Sequence, residues 1–212
     1  MKRVLGLTLF LGLFHGLIAD EPKVLYSQDF SKSEAGSVPD ELLVLDGQFA
    51  VKQEGTNRWL ELPGAPLESY GFLFGPSESS GVQVVARIST TKQGRKFSTF
   101  AVGVSGASGY RLQVTPAKKQ VELFKGETAV ATAPFDWKSG EWTELRLLIR
   151  KGTGATGTVE GKVWSSGSSE PKEPTIRLAD AEILPAGKCG AWGMPYAGTP
   201  IRFDDLKVTT LP

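Results

Sequence analysis

Three residues of one segment, Glu160, Lys162 and Trp164, have the types and the spacing that a sugar-binding surface needs. They alternate with small and apolar residues, so on an extended strand all three side chains point to one face. An indole packs against the C–H face of a sugar ring, while a carboxylate and an ammonium bind its hydroxyl groups with charge-assisted hydrogen bonds. The pattern fits equally a solvent-exposed face on which Trp164 covers the sheet edge, and the residues alone leave both interpretations open.

Other polar and aromatic residues could line the same concave sheet surface. Arg111 and Gln113 alternate with apolar residues in a second predicted strand, 110–115. Trp192 and Tyr196 lie among Gly and Pro in 190–198, which we expect to be a loop at the rim. Aromatic side chains there can contact a glycan or pack over the open end of the sheet. The sequence therefore predicts a ligand site with these members: Trp164, Glu160, Lys162, Arg111, Gln113, Trp192 and Tyr196.

Three acidic residues suggest a cation site. Asp204 and Asp205 are adjacent near the end of the sequence, and Asp29 lies near its start. Calcium prefers several carboxylate and carbonyl oxygens, so one of the paired Asp residues together with Asp29 could bind it. Neighbouring residues on a strand point to opposite faces, so the two Asp side chains could instead contact backbone and solvent. No cofactor is firmly indicated, and Ca²⁺ is the one candidate.

Histidine and disulfide chemistry are excluded from the main part of the chain. The single histidine, His15, lies in 1–19, and Cys189 is the single cysteine. Catalytic triads and histidine-containing zinc sites therefore cannot form downstream. An enzyme would have to work with carboxylates, tyrosine or lysine, as glycoside hydrolases and lyases do. We expect Cys189 to be a small buried hydrophobic residue.

Residues 1–19 have the features of a secretory signal. Lys2 and Arg3 precede an apolar run that ends at the small residue Ala19. We expect cleavage before Asp20 and a secreted or periplasmic protein; an uncleaved N-terminal anchor is the alternative.

Cleavage would reduce the 24 basic residues to 22, against 23 acidic ones. This balance gives no reason to expect nucleic acid as a partner, and no later apolar run would span a membrane.

The rest of the chain shows the pattern of an antiparallel all-β fold. Short segments with apolar residues at every second position recur between Gly, Pro and Ser clusters, as in 81–90, 110–115 and 143–150. About a dozen such segments predict a two-sheet jelly-roll sandwich formed by one domain, 20–212. Trp142 begins one predicted strand, and we expect it in the core. The sequence gives no indication of the oligomeric state.

Six segments carry a resemblance to a known superfamily. They are Asp29-Phe30, 36–39, 47–51 and 60–62 near the start, 137–147 in the middle, and 203–208 near the end. They resemble concanavalin A-like lectin/glucanase domains of the secreted bacterial type, which include laminin G-like jelly rolls. The resemblance implies two antiparallel sheets and one concave face. The Glu-x-Asp-x-Glu strand of laminarinase-type glucanases is missing from this sequence.

Three functions are compatible with these features. The first is a secreted, non-catalytic, lectin-like domain that binds a glycan or polysaccharide. The second is a hydrolase or lyase of the same fold, similar to keto-disaccharide hydrolase-like domains. The third is a structural or adhesive envelope protein. A carboxylate pair in a groove would favour the enzyme, and a surface with aromatic rings and single charges would favour binding.

Overall fold

The computed structural model describes residues 21–211, which form fifteen β-strands and one short 3₁₀ helix. In chain order the strands are β1 (Val24–Gln28), β2 (Leu43–Asp46), β3 (Ala50–Glu54), β4 (Asn57–Leu62), β5 (Tyr70–Glu78), β6 (Val82–Thr90), β7 (Thr99–Val104), β8 (Tyr110–Thr115), β9 (Gln120–Lys125), β10 (Thr128–Pro134), β11 (Trp142–Lys151), β12 (Thr156–Ser165), β13 (Ile176–Glu182), β14 (Gly187–Met194) and β15 (Ile201–Thr210). The predicted signal segment, 1–19, lies outside the described residues.

The strands form two antiparallel sheets. Sheet I has the order β13-β12-β11-β6-β15-β4-β3, and β1 also pairs with β15. Sheet II has the order β10-β9-β8-β7-β14-β5-β2. The two-sheet antiparallel sandwich that the sequence predicts is therefore confirmed.

The core lies between the two sheets and follows from the alternation of each strand. On β6 of sheet I, Val84, Ala86 and Ile88 are fully buried, whereas the residues between them face outward. Phe72 of sheet II and Phe203 of sheet I meet edge to face, with ring centroids 5.4 Å apart and an interplanar angle of 84°. Such contacts between the inner faces fix which side of each strand is left to face outward.

Cys189 belongs to this core, as the sequence predicts. It is 2% exposed, and burial raises the pKa of its thiol to about 12. A thiol that stays protonated is a poor nucleophile, so this cysteine is a packing residue.

One predicted loop is wrong in part. Residues 190–194 belong to β14, which pairs with β5 on one side and β7 on the other. Trp192 is therefore a strand residue in the middle of sheet II, and only the later part of 190–198 forms a turn. The helix in the described part spans Pro116–Lys118, and no helix of residues 21–211 is long and apolar enough to cross a membrane.

Candidate functional site

The outer face of sheet II carries a row of aligned side chains. Strand register places Trp192 of β14, Ala101 of β7, Gln113 of β8 and Glu122 of β9 side by side. Neighbouring strands are about 4.8 Å apart, so the Cα atoms of Trp192 and Gln113 are separated by about 10 Å. Trp192 and Ala101 are buried but do not belong to the core between the sheets. The row therefore combines an aromatic ring, a small residue and two polar groups on one surface.

The indole of Trp192 lies flat across three strands because three glycines leave room for it. A Cβ atom on Gly71 of β5 would lie 2.4 Å from Cδ1 of the indole. On Gly103 of β7 it would lie 2.7 Å from Cζ3, and on Gly190 of β14 it would lie 2.5 Å from Cη2. Glycine within a strand often marks such a close approach. The ring is 8% exposed, so its position is fixed by the sheet beneath it.

Arg111 lies next to the benzo edge of this ring. It pairs with Gly103 across β7 and β8, and with Phe124 across β8 and β9. Its guanidinium carbon is 5.1 Å from the centroid of the Phe124 ring, a cation–π contact. The side chain is 13% exposed. The contact with Phe124 thus orients the guanidinium, which lines the same cavity as the indole.

A small cavity of about 100 Å³ opens between these residues. Its walls include Arg111, Gln113, Glu127, Trp192 and Met194. This volume corresponds to about three water molecules, so it fits one substituent of a sugar while the sugar ring lies outside. Three larger depressions, of about 490, 520 and 340 Å³, lie at the loops 27–41 and 46–70 and beside Trp137. They lack this combination of an immobilised indole and a guanidinium.

Glu122 adds a fixed negative charge beyond Gln113. Its side chain is 5% exposed and accepts hydrogen bonds from Thr115, from Lys118 at 3.0 Å and from Gln120 at 2.9 Å. Burial alone would raise the pKa of Glu122, but these hydrogen bonds outweigh burial and lower it. The carboxylate therefore stays ionised and acts as an acceptor, not as an acid.

The seven residues that the sequence assigns to one ligand surface do not lie together. Arg111, Gln113 and Trp192 share the outer face of sheet II, whereas Glu160 and Trp164, with Lys162, lie on the outer face of sheet I. The two faces are on opposite sides of the sandwich. The prediction of a single shared surface is wrong, because one sequence does not show which sheet each strand joins.

The outer face of sheet I has three tryptophans, each covered by an arginine. The distances from the guanidinium carbon to the ring centroid are 4.7 Å for Arg202 and Trp59, 4.8 Å for Arg87 and Trp142, and 6.0 Å for Arg146 and Trp164. Trp142, which we expected in the core, thus faces outward. Its position has the same parity as the polar residues Glu144 and Arg146, a signal already present in the sequence.

Acidic residues hold these arginines in turn. Arg87 contacts Asp204 at 2.7 Å and Asp205 at 2.8 Å, and Arg146 contacts Glu170 at 2.9 Å. The rings of this face are therefore covered by arginines, and two of these arginines, Arg87 and Arg146, are held by acids. A sugar would have to displace a guanidinium to stack on Trp164.

Glu160 and Lys162 are likewise paired within the protein. Glu160 lies 3.3 Å from the guanidinium of Arg177, and Lys162 donates to Glu170 at 2.9 Å and to the carbonyl oxygen of Lys172 at 3.1 Å. Both residues therefore serve to hold β12 to β13 and to the loop between them.

Tyr196 is separated from the cavity. It bridges to Thr199 in the tight turn between β14 and β15, where its backbone N–H donates to the Thr199 hydroxyl at 2.8 Å. Along an extended strand, four residues correspond to about 13 Å, so Tyr196 and Trp192 do not form one aromatic platform.

The three aspartates proposed for calcium do not form a cation site. Asp29 accepts hydrogen bonds from the backbone and hydroxyl of Ser31, at 3.0 and 2.7 Å. Asp204 and Asp205 both bind Arg87, so a cation there would compete with a guanidinium. Within residues 21–211, no group of three or more His, Cys, Asp or Glu residues is placed to hold a metal ion. These residues do not fit the predicted site.

Several residues of the sheet II face were not predicted from the sequence. Gly71, Gly103 and Gly190 form the bed of Trp192, and Phe124 and Glu127 flank Arg111. Glycines in the interior of predicted strands were the available signal for the bed. Nothing in the sequence indicates that they belong to three adjacent strands, because β5, β7 and β14 are far apart in the chain.

No protein-family model and no curated protein matches this sequence. Solved structures do match it. The lumenal domain of VIP36 in its Ca²⁺- and mannose-bound form has a TM-score of 0.62 at 10% identity, over 90% of this chain and 92% of that one. The marine alginate lyase from Aplysia kurodai has a TM-score of 0.61 at 11% identity, over 89% of this chain and 100% of that one.

A third match is a Bacillus subtilis protein of unknown function with a galectin-like fold. Its TM-score is 0.60 at 14% identity, and the match covers 91% of this chain and 99% of that one. At these identities the likeness establishes the fold alone. The chain is an all-β jelly-roll sandwich, a fold also found in lectins, in a galectin-like protein and in an alginate lyase.

Proposed function

We propose that this protein binds glycans without chemical conversion, on the outer face of sheet II. The observation that carries the proposal is the flat indole of Trp192 on its glycine bed, beside the Arg111 guanidinium and the Gln113 amide. One apolar ring with a few polar groups around a small cavity is the usual composition of a sugar site. The sugar would contact the exposed part of Trp192 at the mouth of the cavity and place one substituent in the cavity.

The fold neighbours support a glycan ligand. VIP36 was solved with mannose and with larger mannose oligosaccharides, and the Aplysia protein is named as a lyase of alginate. Carbohydrates are thus handled by proteins of this fold in both binding and catalytic roles. Fold alone does not transfer function, so the proposal depends on the residues of sheet II.

We also propose that the protein is secreted or periplasmic. The predicted signal over 1–19 supports this location, and a lone buried cysteine is compatible with an oxidising compartment. Glycans outside the cell would then be accessible to the protein. Mass spectrometry of the mature N-terminus tests the location, and an N-terminus at Asp20 is the expected result.

A glycan-active enzyme is the second candidate, and one observation favours it. Glu144, Arg87 and Asp204 lie side by side on the outer face of sheet I, and burial raises the pKa of both carboxyl groups. Two carboxyl groups on one face are what glycoside hydrolysis requires. Both carboxyl groups already accept hydrogen bonds within the protein, however. Arg87 donates to Asp204, and the Ser166 hydroxyl donates to Glu144 at 2.9 Å. Binding is therefore the function that the geometry supports better.

Affinity electrophoresis on gels that contain neutral or acidic polysaccharides tests the binding proposal. We expect retardation on at least one polysaccharide, and a weaker retardation for Gln113→Ala, which removes one amide of the site. The matched control is Gln83→Ala, which removes an amide from the outer face of sheet I. Absence of retardation on every polysaccharide would refute glycan binding and favour a structural role. Release of reducing ends from the same polysaccharides would instead show the enzyme.

A further inference from the structure

The guanidinium of Arg111 has unused hydrogen-bonding capacity. Its Nε is buried with no hydrogen-bond partner among residues 21–211. Its one ion-pair contact within that range is Glu127, whose Oε2 lies 3.9 Å from Nη2, beyond hydrogen-bond distance. The Glu127 side chain is 92% exposed. The closest acid is therefore an exposed surface group that makes no hydrogen bond to the guanidinium.

Two outward-facing arginines of sheet I, Arg87 and Arg146, also have a buried Nε without a well-aligned hydrogen bond, but they differ from Arg111 in the distance to the closest carboxylate. Arg87 has carboxylate oxygens at 2.7 and 2.8 Å, and Arg146 has one at 2.9 Å. Arg111 is less exposed than either, with 13% of its side chain accessible against 33% and 29%. A mostly buried guanidinium normally has a close anionic partner, since burial of an unpaired charge is costly. Arg111 is thus a mostly buried charge without a close anionic partner among the described residues.

The position of Arg111 indicates what that partner is. Phe124 covers one side of the guanidinium, and the cavity beside it leads to Trp192 and Gln113. A guanidinium presents its N–H groups in a flat fork that matches both oxygens of a carboxylate. The cavity is large enough for a carboxylate but not for a sugar ring. A sugar at the mouth of the cavity, in contact with the exposed part of Trp192, would therefore point a carboxylate substituent at Arg111.

We propose that the glycan contains uronic acid and that Arg111 binds its carboxylate. This inference rests on the proposed glycan-binding function and names the chemical class of the ligand. In the free protein, the Glu127 carboxylate lies near the position of the ligand carboxylate. It leaves when the ligand binds, which its exposure allows. Neutral glycans would leave the Arg111 charge unpaired and bind more weakly.

Isothermal calorimetry with polygalacturonate, polymannuronate and hyaluronan tests the inference. Each is compared with its carboxyl-reduced form, in which a hydroxymethyl group replaces the carboxylate and the chain stays the same. We expect at least one uronate polymer to bind tenfold or more tightly than its reduced form. Arg111→Gln should remove that preference, and Arg111→Lys should keep only part of it because lysine lacks the fork. Glu127→Gln should tighten binding several-fold.

Arg177→Gln is the matched control, because it removes an exposed arginine from sheet I. It should leave the preference unchanged, and melting temperatures show whether each variant folds. Equal affinity for acidic and reduced polymers, or binding of neutral polysaccharides alone, would overturn the uronate inference and leave glycan binding intact. A preference that survives in Arg111→Gln would also overturn it. No binding to any polymer would refute glycan binding itself.

Discussion

Gly71 and Trp192 pair directly across β5 and β14, and the indole occupies the space where a side chain at position 71 would be. The three atoms closest to a Cβ on Gly71 all belong to Trp192, at 2.4, 2.6 and 3.0 Å. At Gly103 and Gly190, the atoms closest to such a Cβ also include atoms of residues other than Trp192. The position of the indole is thus set by the residue opposite it.

Gly71→Ala should displace the indole and weaken glycan binding by at least tenfold. Overpacking of this kind costs about 1–3 kcal/mol of folding free energy. Urea denaturation measures the stability, and affinity electrophoresis measures the binding. In the background of Trp192→Ala, where the space is free, the same substitution should cost much less. An equal cost in both backgrounds would mean that Gly71 is needed for another reason.

Trp164→Ala should leave glycan binding unchanged. Arg146 lies over the Trp164 ring, so the expected loss is a modest stability effect of about 1 kcal/mol from the cation–π contact. Trp192→Phe, which keeps an aromatic ring in the site, should weaken binding instead. Calorimetry of both variants with the same polysaccharide distinguishes the two faces. Weaker binding by Trp164→Ala alone would place the site on sheet I.

Arg87→Ala should destabilise the fold by about 2 kcal/mol, because it leaves the nearly buried Asp204 carboxylate without its partner. Arg177→Ala is the control: its side chain is 64% exposed, and loss of its ion pair with Glu160 should cost well under 1 kcal/mol. Urea denaturation at pH 7 gives both values. Similar costs for the two variants would show that the Asp204 contact contributes little.

Glu144 and Glu122 should affect stability in opposite directions as pH changes. Burial raises the folded-state pKa of Glu144, so its ionised form costs stability above that pKa, and the cost disappears as pH falls below the unfolded value. Hydrogen bonds lower the pKa of Glu122 despite its burial. Its contribution is therefore present above the unfolded value and is lost as pH falls through the folded pKa.

At pH 7, we therefore expect Glu144→Gln to melt above the unsubstituted protein and Glu122→Gln to melt below it. Both differences should shrink as the solution is acidified below pH 4. Melting temperatures measured from pH 3 to pH 8 test the signs. A Glu144→Gln variant that is less stable at pH 7 would contradict the assignment.

Removal of divalent cations should leave the melting temperature unchanged. Arg87 binds the carboxylates of both Asp204 and Asp205, and Asp29 is occupied by Ser31, so these aspartates offer a cation little coordination. Melting with EDTA and with added Ca²⁺ measures the effect. A decrease in melting temperature with EDTA would indicate a calcium site formed by other groups.

Much of the fold was predictable because it depends on local pattern. The alternation on β6, β8 and β11 identifies which residues of each strand are buried, and the structure agrees. Two aromatic positions were misjudged. Trp142 was expected in the core although its parity places it outside, and Trp192 was expected in a loop although it belongs to β14.

The sequence by itself determined the all-β class, the burial of Cys189 and the exclusion of histidine chemistry after residue 19. These conclusions follow from composition and period-two alternation, which are properties of neighbouring residues. Only the tertiary structure decided that Arg111 and Trp192 share a face while Trp164 lies on the other side of the sandwich. That decision depends on strand order, and antiparallel strands distant in the chain become neighbours only when both sheets form.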